Sequence, residues 1–192
     1  MSENKLYDWM QKATAEEIDL RNRMYEFENL FSDMLFQESS SARDYFIYED
    51  VEFPIDKRIS EFDFGSVWLK YGELGEGIEG QTNKSDLSIT ISPAASNIDG
   101  TLLHEMVHIL EYVISECMII YRDVLIWELY QNLRTVIIDL DDRIKEFLLL
   151  GNLYEIRSTG GEHDLLFFLK CFDLDLKMNF PLGTVMGYGY HE

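Results

Sequence analysis

Apolar residues recur every three or four positions at Leu20, Met24, Phe27, Phe31 and Met34. That period is the buried stripe of an amphipathic helix, predicted here from about residue 14 to about residue 36. Thr14, with Glu17 three positions on, supplies the capping box that starts it. The pattern changes at Ser39 to Ser41. Asp44 to Phe53 (DYFIYEDVEF), Ser66 to Glu73 (SVWLKYGE) and Asp86 to Pro93 (DLSITISP) are runs rich in β-branched and aromatic residues, separated by the glycine-rich GELGEGIEG and the polar TNKS. They predict a small, mostly antiparallel sheet. Helical spacing then resumes. Ser96 or Asp99 can cap a helix carrying TLLHEMVHILEYVISEC, and a further long helix is predicted from about Arg122 to about Leu150. GNLYEIRSTGG breaks that pattern, EHDLLFFLKCFDLDL predicts a short apolar helix, and Pro181 with the glycines from Gly183 to Gly189 predicts an irregular C-terminus. No internal repeat or low-complexity linker marks a boundary, so the expectation is one α+β domain over residues 1–192.

Charge narrows the function classes. Thirty-six acidic residues face 16 basic ones, for a net charge of −20, and no stretch forms the basic patch that neutralising phosphates requires. A nucleic-acid partner is therefore not expected. The acidity reads as a self-repelling, solvated surface or as a steering field for a cationic partner. MSENKLYDWM lacks the basic and apolar regions of an export signal, and the richest apolar run, Ile109 to Tyr130, is interrupted by Glu111, Glu116, Arg122, Asp123 and Glu128. No membrane span is expected. Cys117 and Cys171 lie in apolar, helix-like stretches and read as buried thiols in a reducing cytoplasm.

The strongest chemical signal is TLLHEMVH, Thr101 to His108. Histidines at i and i+4 share one helix face, so His104 and His108 can aim imidazole nitrogens at one metal ion while Glu105 turns toward its open position. On a helical wheel Leu103, Val107, Leu110, Ile114 and Cys117 form an apolar stripe, and His104, His108 and Glu111 fall beside it. The bland alternative is a solvated helix face. Against it stands the rarity of HExxH in a chain with 4 histidines.

From Phe64 to Leu110 the chain resembles the SprT-like zinc metallopeptidase domain: a strand and turn, an apolar strand ending in SP, then TLLHEMVH opening the active-site helix. The same resemblance covers GGEHDLLFF, where His163 stands as the third ligand in a glycine-bearing loop and Phe167 as the aromatic four residues on. It implies a zincin-like fold in which Zn2+ is held by His104, His108 and His163, with Glu105 as general base for peptide-bond hydrolysis. A protein or peptide substrate would lie extended along the edge strand. The chain departs from the family in two ways. Fifty-four residues separate His108 from His163, which makes the second long helix an insertion, and neither the cysteines of a zinc ribbon nor a basic tail is present.

Other residues compete for roles. Glu128 lies 20 positions beyond His108, the spacing at which some zinc peptidases supply a carboxylate ligand, and it is the rival to His163. Glu111 is one helical turn past His108 and reads as a supporting or solvent-facing carboxylate. His191 stands next to the chain end. GTVMGYGY, Gly183 to Tyr190, resembles the Met-turn of metzincin peptidases, and Tyr188 is a candidate donor to an oxyanion. Glu111 and Ile114 stand where HExxHxxGxxH needs Gly and His, so the chain is not a metzincin, and Met186 and Tyr188 also read as core packing. The competing function class is a non-catalytic zinc-binding protein that engages a basic partner through its acidic surface.

Overall fold

The capping box forms: Thr14 Oγ1 accepts from Glu17 N at 3.2 Å, and Glu17 Oε2 accepts from Thr14 N at 2.9 Å. It starts α1 (Ala15–Glu28), which continues through a 3-10 turn at Asn29–Phe31 into the short α2 (Ser32–Leu35). The computed structural model describes residues 12–35, 45–48, 50–150 and 163–187. All five apolar positions of the N-terminal stripe, Leu20, Met24, Phe27, Phe31 and Met34, are buried. Arg21, also buried, donates to the Val67 carbonyl at 2.6 Å and to that of Phe64 at 3.3 Å, which ties α1 to the chain entering the sheet.

The run Asp44 to Phe53 is not one strand of that sheet. It folds back as an antiparallel hairpin of β1 (Tyr45–Tyr48) and β2 (Val51–Pro54), turning through Asp50 at φ 64°. Aspartate tolerates the left-handed conformation because its side chain can bond the local backbone. A short α3 (Lys57–Ser60) follows. The main sheet contains β3 (Trp68–Tyr71), β4 (Gly80–Asn83) and β5 (Ser88–Ile91) in the order β3-β5-β4. β3 pairs with β5 in parallel and β4 with β5 antiparallel, so the sheet is mixed rather than mostly antiparallel. β4 arises from GQTN, at the join of two stretches that read as connectors. It lacks an apolar run because it is an edge strand, held on one side by the β5 backbone.

α4 (Ile98–Ser115) carries the HExxH sequence. Its cap is Asn97, whose Oδ1 accepts from Gly100 N at 3.0 Å, in place of Ser96 or Asp99. Leu102, Leu103, Met106, Val107, Ile109 and Leu110 are fully buried, because α4 packs on β4 and β5 on one side and on a C-terminal helix on the other. Each such side chain contributes roughly 1.5–3 kcal/mol through burial. The predicted long helix is instead two, α5 (Ile119–Leu133) and α6 (Leu140–Leu150). Between them lie the β-branched residues Thr135 to Ile138, whose restricted side-chain rotamers disfavour helix, and Thr135 Oγ1 accordingly turns back to the Asn132 carbonyl at 2.7 Å. α7 (Leu165–Met178) is capped by Asp164, whose Oδ1 accepts from Phe167 N at 3.1 Å, and closes at Asn179 with φ 56°. One core cluster extends from Leu20 of α1 to Met186 beyond α7. Cys171 is buried, Cys117 is half-buried, and both are free thiols. Among the described residues no helix is long and apolar enough to cross a membrane.

Candidate metal centre

His104 and His108 project from one face of α4, and His163 stands immediately before the Asp164 cap of α7. The packing of α7 on α4 brings the three together, with one ring nitrogen of each within 4.8 Å of the others. His163 Nε2 is 3.3 Å from His104 Nε2. His104 Nδ1 is 2.9 Å from the Val185 carbonyl oxygen. A carbonyl only accepts, so Nδ1 carries the proton and Nε2 turns a lone pair into the cluster. Phe167, one helical turn past His163, packs its ring against all three imidazoles at centroid distances of 4.9, 4.5 and 4.6 Å.

Burial disfavours charge on these rings. It lowers His104 to about 4 against the opposing hydrogen bond to Val185, and it lowers His108 to about 2 with help from the neighbouring imidazoles. Both are neutral at pH 7, the state in which imidazole ligates a metal. His108 Nδ1 is buried and has no hydrogen-bond partner among the described residues.

Glu105 lies on α4 beneath β4 and is only 5% exposed. Thr82 Oγ1 is 2.6 Å from Glu105 Oε2 and 3.2 Å from the Glu105 carbonyl, so β4 orients this carboxylate directly. The strand comes this close because residue 80 is glycine. A Cβ there would stand 2.7 Å from Glu105 Oε1 and 2.7 Å from Thr101 Cγ2.

Two further groups hold the frame. Arg122 of α5 forms an ion pair with Asp164, and Glu111 of α4 shares a hydrogen bond with the same carboxylate. Burial raises Glu111 to about 10, with Asp164 adding to the effect. Burial also acts to raise Asp164, but the bonds from Glu111 and Arg122 outweigh it and hold Asp164 below the ordinary carboxylate value. Burial thus favours the neutral form of Glu111 beside the Asp164–Arg122 ion pair. Asp175 of α7, fully buried, accepts from Gly183 N at 2.6 Å and Val185 N at 2.9 Å. These bonds fix the turn that places the Val185 carbonyl on His104.

The cluster comprises His104, His108 and His163; Glu128, half-buried on α5, lies outside it, as does Glu111. Met186 packs in the core, whereas Tyr188 and His191 fall outside the described residues. The wheel placed the histidine face beside the apolar stripe, and α7 covers that face. Gly80, Thr82, Asp175 and the Val185 carbonyl were not legible as site components. Gly80 and Thr82 acquire meaning only once β4 is known to cross α4, and a carbonyl leaves no mark in sequence. A cleft of about 670 Å3 opens beside the cluster, with Glu79, Gly80, Thr101, His104, Glu105 and Val185 in its walls. No protein-family model, curated protein or solved structure matches the chain.

Proposed function

We propose that this chain is a zinc-dependent peptidase with a zincin-like, SprT-like catalytic domain. The observation that carries the reading is the convergence of three imidazole donors, two from α4 and one from the residue before the α7 cap, with an oriented carboxylate one residue after the first. The donor set fits zinc. Nitrogens at 2.0–2.1 Å from a tetrahedral ion stand roughly 3.3 Å apart; His104 and His163 already stand at 3.3 Å, and all three donor atoms lie within 4.8 Å of one another. Leaving His108 Nδ1 unsatisfied costs about 1–3 kcal/mol, a cost that a metal bound at that nitrogen would remove.

Zinc held by His104, His108 and His163 supplies Lewis acidity toward water and toward a scissile carbonyl. The protein's part is orientation and proton transfer. Val185 fixes the His104 tautomer, and the Asp164 network fixes the start of α7 beside His163. Glu105 accepts the proton of the attacking water and passes it to the leaving amine nitrogen, with Thr82 holding its Oε2 in place. An extended substrate pairs with the outer edge of β4, whose backbone groups supply affinity with loose sequence selectivity. A buried, hydrogen-bonded Glu105 at a cleft wall favours this reading over a non-catalytic zinc protein, since structural zinc needs no base. The two thiols fit a reducing cytoplasm.

Two measurements on the untagged protein test the proposal. Metal analysis should find close to one zinc per chain, and Glu105→Gln should keep that zinc while losing hydrolysis of an unfolded protein. Failure to bind added zinc removes the site. Full activity in Glu105→Gln removes the mechanism.

A further inference from the structure

The cleft beside Glu105 carries a second carboxylate that proton transfer does not use. Glu79 immediately precedes β4, and its side chain stands in the cleft wall. Its Oε1 accepts from Ser96 N at 3.1 Å, and its Oε2 accepts from Thr101 Oγ1 at 3.3 Å. Those bonds hold Glu79 below the ordinary carboxylate value, the Ser96 amide contributing most, so it is ionised at neutral pH. Each carboxylate oxygen has room for a second donor after accepting one. Thr101 links the two acids: its hydroxyl holds Glu79, while its methyl lies against the backbone of Gly80, whose other neighbour is Glu105.

Among the described residues of the cleft wall the ionisable side chains are Glu79, His104 and Glu105; the proposed zinc stands beside Glu105, and no lysine or arginine stands in the wall to balance Glu79. The walls confine the ligand, and the chain's net charge of −20 adds a long-range attraction for cations. A cleft of about 670 Å3 admits a long side chain together with its backbone. We infer that this cleft is a selectivity pocket for a cationic residue, lysine or arginine, next to the scissile bond, and that Glu79 is the residue that recognises it. The inference rests on the peptidase reading of the same site. It also sharpens it, because β4 pairing alone reads no side chains, whereas a fixed carboxylate does. A neutral residue of the same length would cover Glu79 and leave it without a counter-charge.

The test uses zinc-loaded protein bearing Glu105→Gln, so that binding is measured without turnover. Paired peptides differing only by lysine or glutamine at one central position are titrated by fluorescence anisotropy. The lysine peptide should bind about tenfold more tightly, in keeping with one charge-assisted hydrogen bond, and the advantage should shrink as salt rises. Adding Glu79→Gln, which preserves acceptors for Ser96 and Thr101, should abolish the difference while zinc content and melting temperature stay unchanged. Should that variant fold poorly, moving the lysine along the peptide decides the matter in the protein with Glu79 intact: a pocket confines the preference to one position, whereas attraction by the net charge of −20 alone is the same at every position. Equal affinity for the two peptides, absence of binding by either, or an undiminished preference in folded Glu79→Gln would overturn the inference. Cleavage of unfolded protein by the wild type separates the two claims. Cleavage without a lysine preference removes only the pocket's selectivity, whereas a lysine preference without cleavage removes the peptidase reading and with it the scissile bond, leaving a cleft that binds a cationic residue.

Discussion

Gly80 and His163 are the residues at which the site is most exposed to single changes. A methyl group at position 80 has nowhere to go, since it would meet Glu105 and Thr101 at 2.7 Å. Gly80→Ala should therefore displace the carboxylate or push β4 outward, lowering kcat at least about tenfold by misplacing the base, while zinc content stays near one per chain. Wild-type turnover in that variant would show that β4 does not set the base. His163 and Glu128 are separated by a ligand test. His163→Ala should weaken zinc binding about 100-fold or more, and Glu128→Gln should leave it nearly intact, because only the histidine joins the cluster. A reversed pattern in a zinc titration against a chelator would give the site a carboxylate ligand in place of the third imidazole. His163 was legible because a polar residue after two glycines and before an aromatic helix can be brought against another helix. Glu128 was nominated by spacing alone, and spacing does not say which face of α5 turns toward α4.

At the scale of elements, α4 and α7 were readable because each carries its own helical period, and the capping box of α1 is a local signal with a local cause. β4 was not readable. Gly80 to Asn83 has no strand-like composition, and its conformation comes from pairing with β5 and contact with α4, both distant in sequence. The break between α5 and α6 falls in an apolar run whose β-branched residues outweigh its helical spacing. The turn after α7 supplies an element-scale prediction. Asp175 binds the amides of Gly183 and Val185, yet burial raises it from 3.8 to about 6. The folded protein thus keeps a proton that the unfolded chain has released, so the stability contributed by this group is greatest below pH 3.8 and is lost as pH rises through about 6. Asp175→Asn has no such dependence. It should be less stable throughout, by about 1–3 kcal/mol for an amide left with a poorer acceptor. The wild type's advantage in melting temperature should be larger near pH 4 than near pH 7. Histidines titrate in both proteins and drop out of the difference. An advantage that grows with pH would mean that the carboxylate is stabilised, not strained, in its charged form.

For the whole molecule, the proposed zinc site would make metal binding and folding one equilibrium. The three imidazoles come from α4 and from the start of α7, with α5 and α6 between them in the chain, so the donors converge only when the core that joins those helices has formed. In the unfolded chain His163 lies 55 positions beyond His108, so the three donors do not converge there. Zinc bound as proposed would therefore stabilise the native state by mass action, by about 4.1 kcal/mol when its free concentration is 1,000 times the dissociation constant. For a protein of this size each kcal/mol moves the melting temperature by roughly 2–4 °C. Removing zinc with a chelator should accordingly lower the melting temperature by about 8–16 °C at that level of saturation, and restoring zinc should reverse the change. The metal-free protein should also lose stability more steeply as pH falls below 6.5, because buried His104 and His108 resist the proton that the unfolded chain accepts. Zinc competes for the same nitrogens, so in its presence the acid transition should move to lower pH and depend on zinc concentration. Scanning calorimetry over pH with and without zinc reads both effects. Identical melting curves at every pH, from a chain shown to be folded, would mean that the imidazoles meet without holding an ion. The cluster would then be a neutral, hydrogen-bonded part of the α4 and α7 interface, and Glu105 would have no activated water to deprotonate.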